Sequence, residues 1–365
     1  MKSQAYKILT KNLSRILKTP PYLILFVSNE CWMKCRHCWF NEDWKENNIK
    51  NDLMSFEEIK KLSESINKTL FLSITGGEAF MREDIEEIIK LFTRKKKVFR
   101  YEIPTSGFMT SAINEKTKNI LEDNPNIPFR VDVSLDGNEE VHDLIRNIKG
   151  GFKNAVNTII ELNKLKKNFK YFDVGVITTI SNYNQNIIEE IADIVENIHS
   201  DGEWMVNITR GQTRDKTAND VNYENYYKAQ EIIKNRISKG TYKGHSGHTT
   251  AKWLSAKNSV RRNVIKSILE NNYKGGGCSA GSVGGVIYSD GSVYPCELLN
   301  ESFGNLKDFD YNLKALWNST QADKIRNKIQ DTFCQCTQEC FLSSNFLIQP
   351  KLWYLTLCEK FKYYR

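Results

Sequence analysis

The chain has no run of about 18 apolar residues, which excludes a membrane-crossing helix. Its first 20 residues carry lysines and scattered Ile and Leu but no continuous apolar core and no small-residue cleavage site, which argues against a secretory signal. There is no internal repeat and no low-complexity linker. No cysteine falls between Cys38 and Cys278, and no Asp or Glu falls within residues 234–266. The first gap sorts the thiols into two groups. The second leaves a stretch that is positive throughout.

What is present suits a globular protein: 40% hydrophobic and 26% charged residues, enough apolar surface for a sizeable core. A chain of 365 residues fits one large α/β domain with a smaller appendage. The nine cysteines are Cys31, Cys35 and Cys38, then Cys278, Cys296, Cys334, Cys336, Cys340 and Cys358. A disulfide framework is unusual in a large chain without a signal, whereas clustered cysteines in a cytosolic protein bind metal or catalyse. A reducing, anaerobic cytoplasm is therefore expected. The net charge of +8 is modest, but nine Lys and Arg crowd residues 234–266, either as a solvated face or as a surface for an anionic substrate or acidic peptide. Near the start, Ile8, Leu9, Leu13, Ile16 and Leu17 suit a short amphipathic helix packed on the main domain.

A strand–helix rhythm fills the first two hundred or so residues. An apolar run over 22–27 has strand length, and Ser55 with Glu58 forms a capping box for a helix to about Asn67. Further strands are expected at 70–74, 99–103, 129–134, 172–179 and 204–209, with helices near 83–93, 113–122, 152–166 and 185–199. Six strands alternating with helices predict an α/β fold with a parallel sheet, and a partial (β/α)6 TIM-type barrel fits the count. Expected boundaries are a helix over 1–20, the barrel over 21–210, a basic helical bridging segment over 211–274 and a small cysteine-rich domain over 275–365. In that last part a glycine-rich hairpin over 284–295 turns at Asp290-Gly291.

Cys31-x3-Cys35-x2-Cys38 follows the first strand. Three thiolates so close can hold three irons of a cubane, leaving the fourth open to an outside ligand. A zinc knuckle needs a fourth ligand, which His37 could supply only from its place between Cys35 and Cys38. Cys31-Trp-Met-Lys-Cys35-Arg-His37-Cys38 resembles the signature of the radical S-adenosylmethionine superfamily, in which the cofactor's methionyl nitrogen and carboxylate chelate the open iron. Gly76-Gly77-Glu78, followed by Ala79 in place of the usual proline, is similar to that family's motif for the methionyl ammonium. The chemistry agrees, since glycines admit a close ligand and a carboxylate pairs with an ammonium. The same resemblance assigns Ser106 (in Thr105-Ser106-Gly107), Ser134 and Asp136 (in Ser134-Leu135-Asp136-Gly137), Arg146 and His37 to cofactor binding. His37 would lie near adenine, and Ser134 and Arg146 near ribose and carboxylate.

Cys278-x12-Gly291-x4-Cys296 resembles the entry to the auxiliary-cluster domains called SPASM and twitch. The chain then departs from the pattern, running Cys334-x-Cys336-x3-Cys340 with Cys358 further on. Two auxiliary clusters need about eight ligands, and six cysteines remain. The economical reading is at least one auxiliary 4Fe–4S cluster, on Cys278, Cys296 and two of the later four; two clusters, one of them incompletely ligated by cysteine, is the open alternative. Glu297, next to Cys296, stands where dehydrogenating relatives can carry the base that deprotonates a substrate radical. His245 and His248 read as polar loop residues within the basic segment.

The resemblance implies reductive cleavage of S-adenosylmethionine to a 5′-deoxyadenosyl radical and hydrogen abstraction from a substrate carbon, with electrons from a flavodoxin or ferredoxin. The substrate is open: a small anionic metabolite such as a sugar or alcohol derivative is slightly favoured, with a peptide or protein maturase as the alternative. A non-catalytic metal-stabilised binding module is a remote third. No membrane or nucleic-acid partner is expected, since only Tyr242 and Trp253 interleave the basic stretch.

Overall fold

The computed structural model describes residues 12–42, 45–46, 52–94, 97–239, 251–273, 277–332 and 334–362. In chain order its main elements are β1 (Tyr22–Ser28), α1 (Phe56–Ser65), β2 (Thr69–Gly76), α2 (Ile85–Thr93), β3 (Val98–Thr105), α3 (Thr110–Asp123), β4 (Phe129–Ser134), α4 (Glu139–Arg146), α5 (Gly151–Lys166), β5 (Phe172–Ile180), α6 (Ile188–His199) and β6 (Glu203–Ile208). Two long helices follow, α7 (Tyr223–Lys239) and α8 (Ala251–Leu269). The remainder holds β7 (Gly284–Ile287), β8 (Ser292–Tyr294), β9 (Gly304–Asn305), α9 (Leu313–Trp317), α10 (Thr320–Asp331), α11 (Glu339–Asn345) and α12 (Pro350–Lys362). All six expected strands are present, shifted by a residue or two at their ends. The six parallel βα units are the complement of a (β/α)6 partial barrel. Among the described residues no helix is long and apolar enough to cross a membrane.

The chain forms two compact units: Met1–Glu30 with Glu46–Ile103 and Glu270–Trp353, and Cys31–Lys45 with Pro104–Leu269 and Tyr354–Arg365. In the first, the strands run β3-β2-β1-β7-β8-β9. β1 is a continuous apolar run because it is buried on both faces, pairing in parallel with β2 on one side and β7 on the other. The hairpin therefore does not stand apart as an appendage: Tyr22↔Gly284 to Leu25↔Ile287 joins it to the first strand. β7 and β8 are antiparallel around Gly291, whose φ of +86° explains the glycine in that turn. At α1 the Ser55 side chain accepts from Glu58 N while Glu58 accepts from Ser55 N at 2.7 Å, the predicted capping box. Residues 12–17 are helical, and Asn67 holds the segment through Leu17 O and Thr19 Oγ1, but Ile16 is 73% exposed rather than packed. Ile8 and Leu9 lie outside the described residues.

Aromatic packing fills this unit. Phe26 meets Tyr288 at 4.7 Å, Tyr288 meets Tyr294 at 5.1 Å, and fully buried Trp317 meets Phe303 at 5.3 Å. Arg326 lies over both Phe303 and Trp317 and donates to Trp317 O and Gly281 O at 2.5 Å each.

The second unit orders its strands β4-β5-β6 in parallel. A buried ionic set lies within it, beside aliphatic packing and the stacking of Phe129 on Phe172 at 6.1 Å. Arg130, buried on β4, pairs through Nε with Asp132 at 2.6 Å and through Nη1 with Glu203 at 2.5 Å and Asp173 at 3.7 Å. Lys166 and Asn258 then bind Asp173 and Glu203 at 2.8 Å. Residue 175 must be glycine here, since a Cβ would stand 1.9 Å from Asp132 Oδ1.

Candidate metal centres

The cysteine loop after β1 belongs to the second unit and is fixed there mostly through its backbone. Arg36 N donates to Ile145 O at 2.8 Å and Arg36 Nε to Leu144 O at 3.1 Å, joining the loop to the end of α4. From the segment after β6, Arg214 N donates to Cys38 O at 3.0 Å, Asp215 N to Arg36 O at 2.8 Å, and Arg214 Nη1 to Cys35 O at 2.6 Å. Glu42 holds Arg214 at 2.7 Å. Sequence reasoning missed Arg214; its signal is its place just beyond the C-terminal end of a barrel strand, where loops build sites.

Beneath the loop lies a buried polar group. Arg146 Nη2 is 2.6 Å from Asp136 Oδ2, and its Nη1 donates to Cys35 Sγ at 3.7 Å. Asp136 Oδ1 accepts from Thr179 N, and Asp136 N donates to His142 Nδ1 at 3.1 Å. Burial raises the Asp136 carboxyl, but Arg146, His37, His142 and the Thr179 amide together outweigh it and hold the group below its usual range. Burial holds His37 and His142 down at about 4, so both rings are neutral. His37 Nδ1, Arg146 Nε and His142 Nε2 are buried without hydrogen-bond partners. Three such atoms in one native group mark where a polar ligand belongs.

The three thiols interact. Burial lifts Cys38 to about 12, and the Cys35 and Cys31 thiols reinforce the rise while Arg214 opposes it. Such a thiol becomes a thiolate on binding metal, which is where the nearby cations help. Among the described residues no three His, Cys, Asp or Glu side chains gather around a single ion. Three thiolates can hold three irons of a cubane and leave the fourth open to an outside ligand. The trio fits a cluster.

The other predicted cofactor residues are divided between the units. Ser106 follows β3 and Ser134 ends β4, both in the second unit with His37, Asp136 and Arg146. Gly76, Gly77 and Glu78 are in the first. A Cβ at Gly76 would stand 2.4 Å from Ser28 O, and Gly77 N donates to Ser28 O at 3.0 Å, so the glycines let this turn lie against β1. Glu78 is only 2% exposed, and its Oε1 accepts from Phe80 N at 3.4 Å.

Five of the six C-terminal thiols, all but Cys358, belong to the first unit. Cys278 is buried and its thiol bonds that of Cys334, which holds Cys278 well above its usual value and brings Cys334 down to about 7. Burial lifts Cys296 to about 12, with Cys336 and Cys334 adding to the rise. Cys340 bonds the Tyr22 hydroxyl. Cys358 belongs to the second unit, where it bonds Tyr354. Glu297 is half-buried beside Cys296 and accepts from the Gln338 side chain. The converging thiols fit an auxiliary cluster, whose sulfurs would replace these thiol–thiol hydrogen bonds.

In the basic segment Arg236 is tied to Asp193 and Glu196 at 2.5 Å each, and Lys266 covers the Tyr227 ring at 4.8 Å. These two cations have structural partners, which favours the solvated-face reading for their part of the stretch. His245 and His248 lie outside the described residues.

Comparisons with known proteins agree with this geometry. The model of the Radical SAM superfamily matches residues 25–195, and that of the SPASM iron–sulfur cluster-binding domain matches residues 278–341. A cysteine-type anaerobic sulfatase-maturating enzyme of Clostridium novyi is 27% identical over 77% of this chain and 74% of its own. Fe-coproporphyrin III synthase of Methanosarcina barkeri is 27% identical over 79% of this chain and 71% of its own. The subtilosin biosynthesis protein AlbA of Bacillus subtilis is 24% identical over 84% of this chain and 61% of its own. Among solved structures, native anSMEcpe with bound AdoMet and Kp18Cys peptide superposes with a TM-score of 0.58 at 16% identity, covering 94% of this chain and 96% of that one. Streptococcus suis SuiB bound to precursor peptide SuiA gives 0.57 at 18% identity, covering 85% and 67%.

Proposed function

Because the chain belongs to the radical S-adenosylmethionine superfamily, we propose that it is a maturase, an oxidoreductase that functionalises a C–H bond in a peptide or protein side chain. The family's cofactors are a 4Fe–4S cluster and S-adenosylmethionine, with auxiliary iron–sulfur in the SPASM domain. The observation that carries the reading is the likeness to the sulfatase-maturating enzyme across 77% of this chain. AlbA, a bacteriocin biosynthesis protein, supports it. The slight preference of the sequence for a sugar or alcohol derivative has no counterpart among these relatives. A small anionic substrate stays as a second reading, supported by the equal identity to Fe-coproporphyrin III synthase.

Cys31, Cys35 and Cys38 would hold the cleaving cluster, and Cys278, Cys296 and two further cysteines the auxiliary one. When bound, these groups supply a 5′-deoxyadenosyl radical that takes a hydrogen atom from carbon, and an acceptor for the electron left behind. Gly76, Gly77 and Glu78 would cradle the methionyl ammonium, and neutral His37 can pack against or hydrogen-bond an uncharged base. Ser106 and Ser134 would add hydroxyl contacts to the cofactor. Glu297 would receive the substrate proton at a carboxylate oxygen, oriented by Gln338. A flavodoxin or ferredoxin in a reducing cytoplasm would supply the electron, a setting that suits nine free thiols.

The test uses reconstituted protein, dithionite, S-adenosylmethionine and peptides presenting Cys or Ser. The expected result is 5′-deoxyadenosine formation that rises with peptide, together with a peptide product that has lost a hydrogen pair. If a porphyrin carboxylate stimulates turnover and the peptides do not, the maturase reading is overturned.

A further inference from the structure

Arg146 reaches a thiol sulfur, whereas Arg36 and Arg214 reach backbone oxygens. Its Nη1 donates to Cys35 Sγ at 3.7 Å and its Nη2 lies 2.6 Å from Asp136 Oδ2, with the side chain 9% exposed. The carboxylate that aims it is itself fixed: Asp136 Oδ1 accepts from Thr179 N at 2.8 Å and Asp136 O from Asn184 Nδ2 at 2.8 Å. The turn just before Arg146 is held too, since Leu144 O and Ile145 O both accept from Arg36. Guanidinium, carboxylate and cysteine loop are thus locked in one arrangement within a single compact unit.

We infer that Arg146, braced by Asp136, is the positioning residue that tunes the reduction potential of the cluster on Cys31, Cys35 and Cys38, through a charge-assisted hydrogen bond to the Cys35 sulfur. The inference rests on the reading that these thiolates hold that cluster. It departs from the role in cofactor carboxylate or ribose binding that the resemblance assigns to Arg146. A donor and a positive charge at a ligand sulfur stabilise the more negative, reduced cluster, and so make the potential less negative. Asp136 offsets part of that charge while fixing its direction. A lysine carries the charge but not the rigid fork that serves Cys35 and Asp136 together.

The experiment titrates reconstituted full-length protein with redox mediators in the absence of S-adenosylmethionine, followed by electron paramagnetic resonance. The relevant signal is the one that shifts when S-adenosylmethionine is added to a parallel sample. Arg146→Met is expected to lower the ratio of reduced to oxidised cluster about tenfold at fixed ambient potential, equivalent to about 59 mV for one electron. Arg146→Lys is expected to lower it less, and Asp136→Asn to raise it. If Arg146→Met loses iron while Arg146→Lys keeps it and still shifts, the inference stands. It is overturned if Arg146→Lys and Arg146→Met keep full iron and titrate as the parent does. It is equally overturned if they change only the response to S-adenosylmethionine, which returns Arg146 to the cofactor. A parent protein that loses no iron on substitution of Cys31, Cys35 and Cys38 by Ala sinks the cluster reading itself, a separate failure.

Discussion

The two compact units hold their buried charges differently, and the thiols in each have different neighbours. In the second unit buried charges come in sets: Arg130 with Asp132, Asp173 and Glu203, and Arg146 with Asp136. In the first, buried Arg326 lies over Phe303 and Trp317 as well as pairing with Asp323 at 2.9 Å. Accordingly the Cys31–Cys38 loop has guanidinium groups at Cys35 Sγ and Cys35 O. The C-terminal thiols of the first unit influence one another, Cys278 with Cys334, and Cys296 with Cys336, as the loop thiols also do. On the proposed reading, the cluster open to an outside ligand would sit in the polar, charge-lined setting, and the auxiliary one among the thiols of the first unit.

The sharpest way to break the comparison is to remove the loop thiols together. Cys31→Ala, Cys35→Ala, Cys38→Ala is expected to abolish 5′-deoxyadenosine formation and to remove about four irons per chain, leaving about four on the C-terminal thiols. Iron and sulfide analysis with product chromatography reads both. A parent with about twelve irons would refute a single auxiliary cluster. The next effect separates the two kinds of packing. Arg130→Met strands buried carboxylates and should cost about 3–5 kcal/mol. Trp317→Ala empties an aromatic site at a similar cost of about 3–5 kcal/mol. Hydrogen exchange should place the first loss in β4–β6 and the second around β7–β8. Loss of protection in the same elements for both variants would erase the distinction.

Local features of this division were legible in the sequence. The capping box at Ser55 and Glu58, the six strands, the Asp290-Gly291 turn and the cysteine spacing each depend on neighbours a few residues apart. Contacts that depend on distant partners were not. Nothing in residues 22–28 announces that β1 pairs in parallel with β7, some 260 residues later. Arg214 has no local pattern, because its role comes from reaching Cys35 and Cys38 across the fold. The resemblance could name Arg146 as functional but not that it points at a sulfur, which is a matter of which neighbour is nearest. Likewise the spacing of Cys334, Cys336, Cys340 and Cys358 could not say that Cys358 bonds Tyr354.

The smallest expected effect uses acid to distinguish the units. The chain has five histidines, and none falls in the residues of the first unit. Buried His37, His142 and His199 all lie in the second, each held down at about 4 chiefly by burial. His199, clear of the cysteine loop, isolates the effect. Unfolded, it takes up a proton below its ordinary 6.5; folded, it does so only near 4. Between those values the unfolded chain binds more protons, so stability must fall as pH falls from 6.5 to 4, and must be undiminished above 6.5. The loss attributable to this one ring is at most about 3 kcal/mol. Hydrogen exchange at stepped pH should therefore show β4–β6 opening before the β7–β8 hairpin. His199→Gln should flatten part of that slope, because a side chain that never charges has nothing to lose in acid. If the slope is the same with and without His199, the buried ring is not what makes the ionic unit the acid-sensitive one.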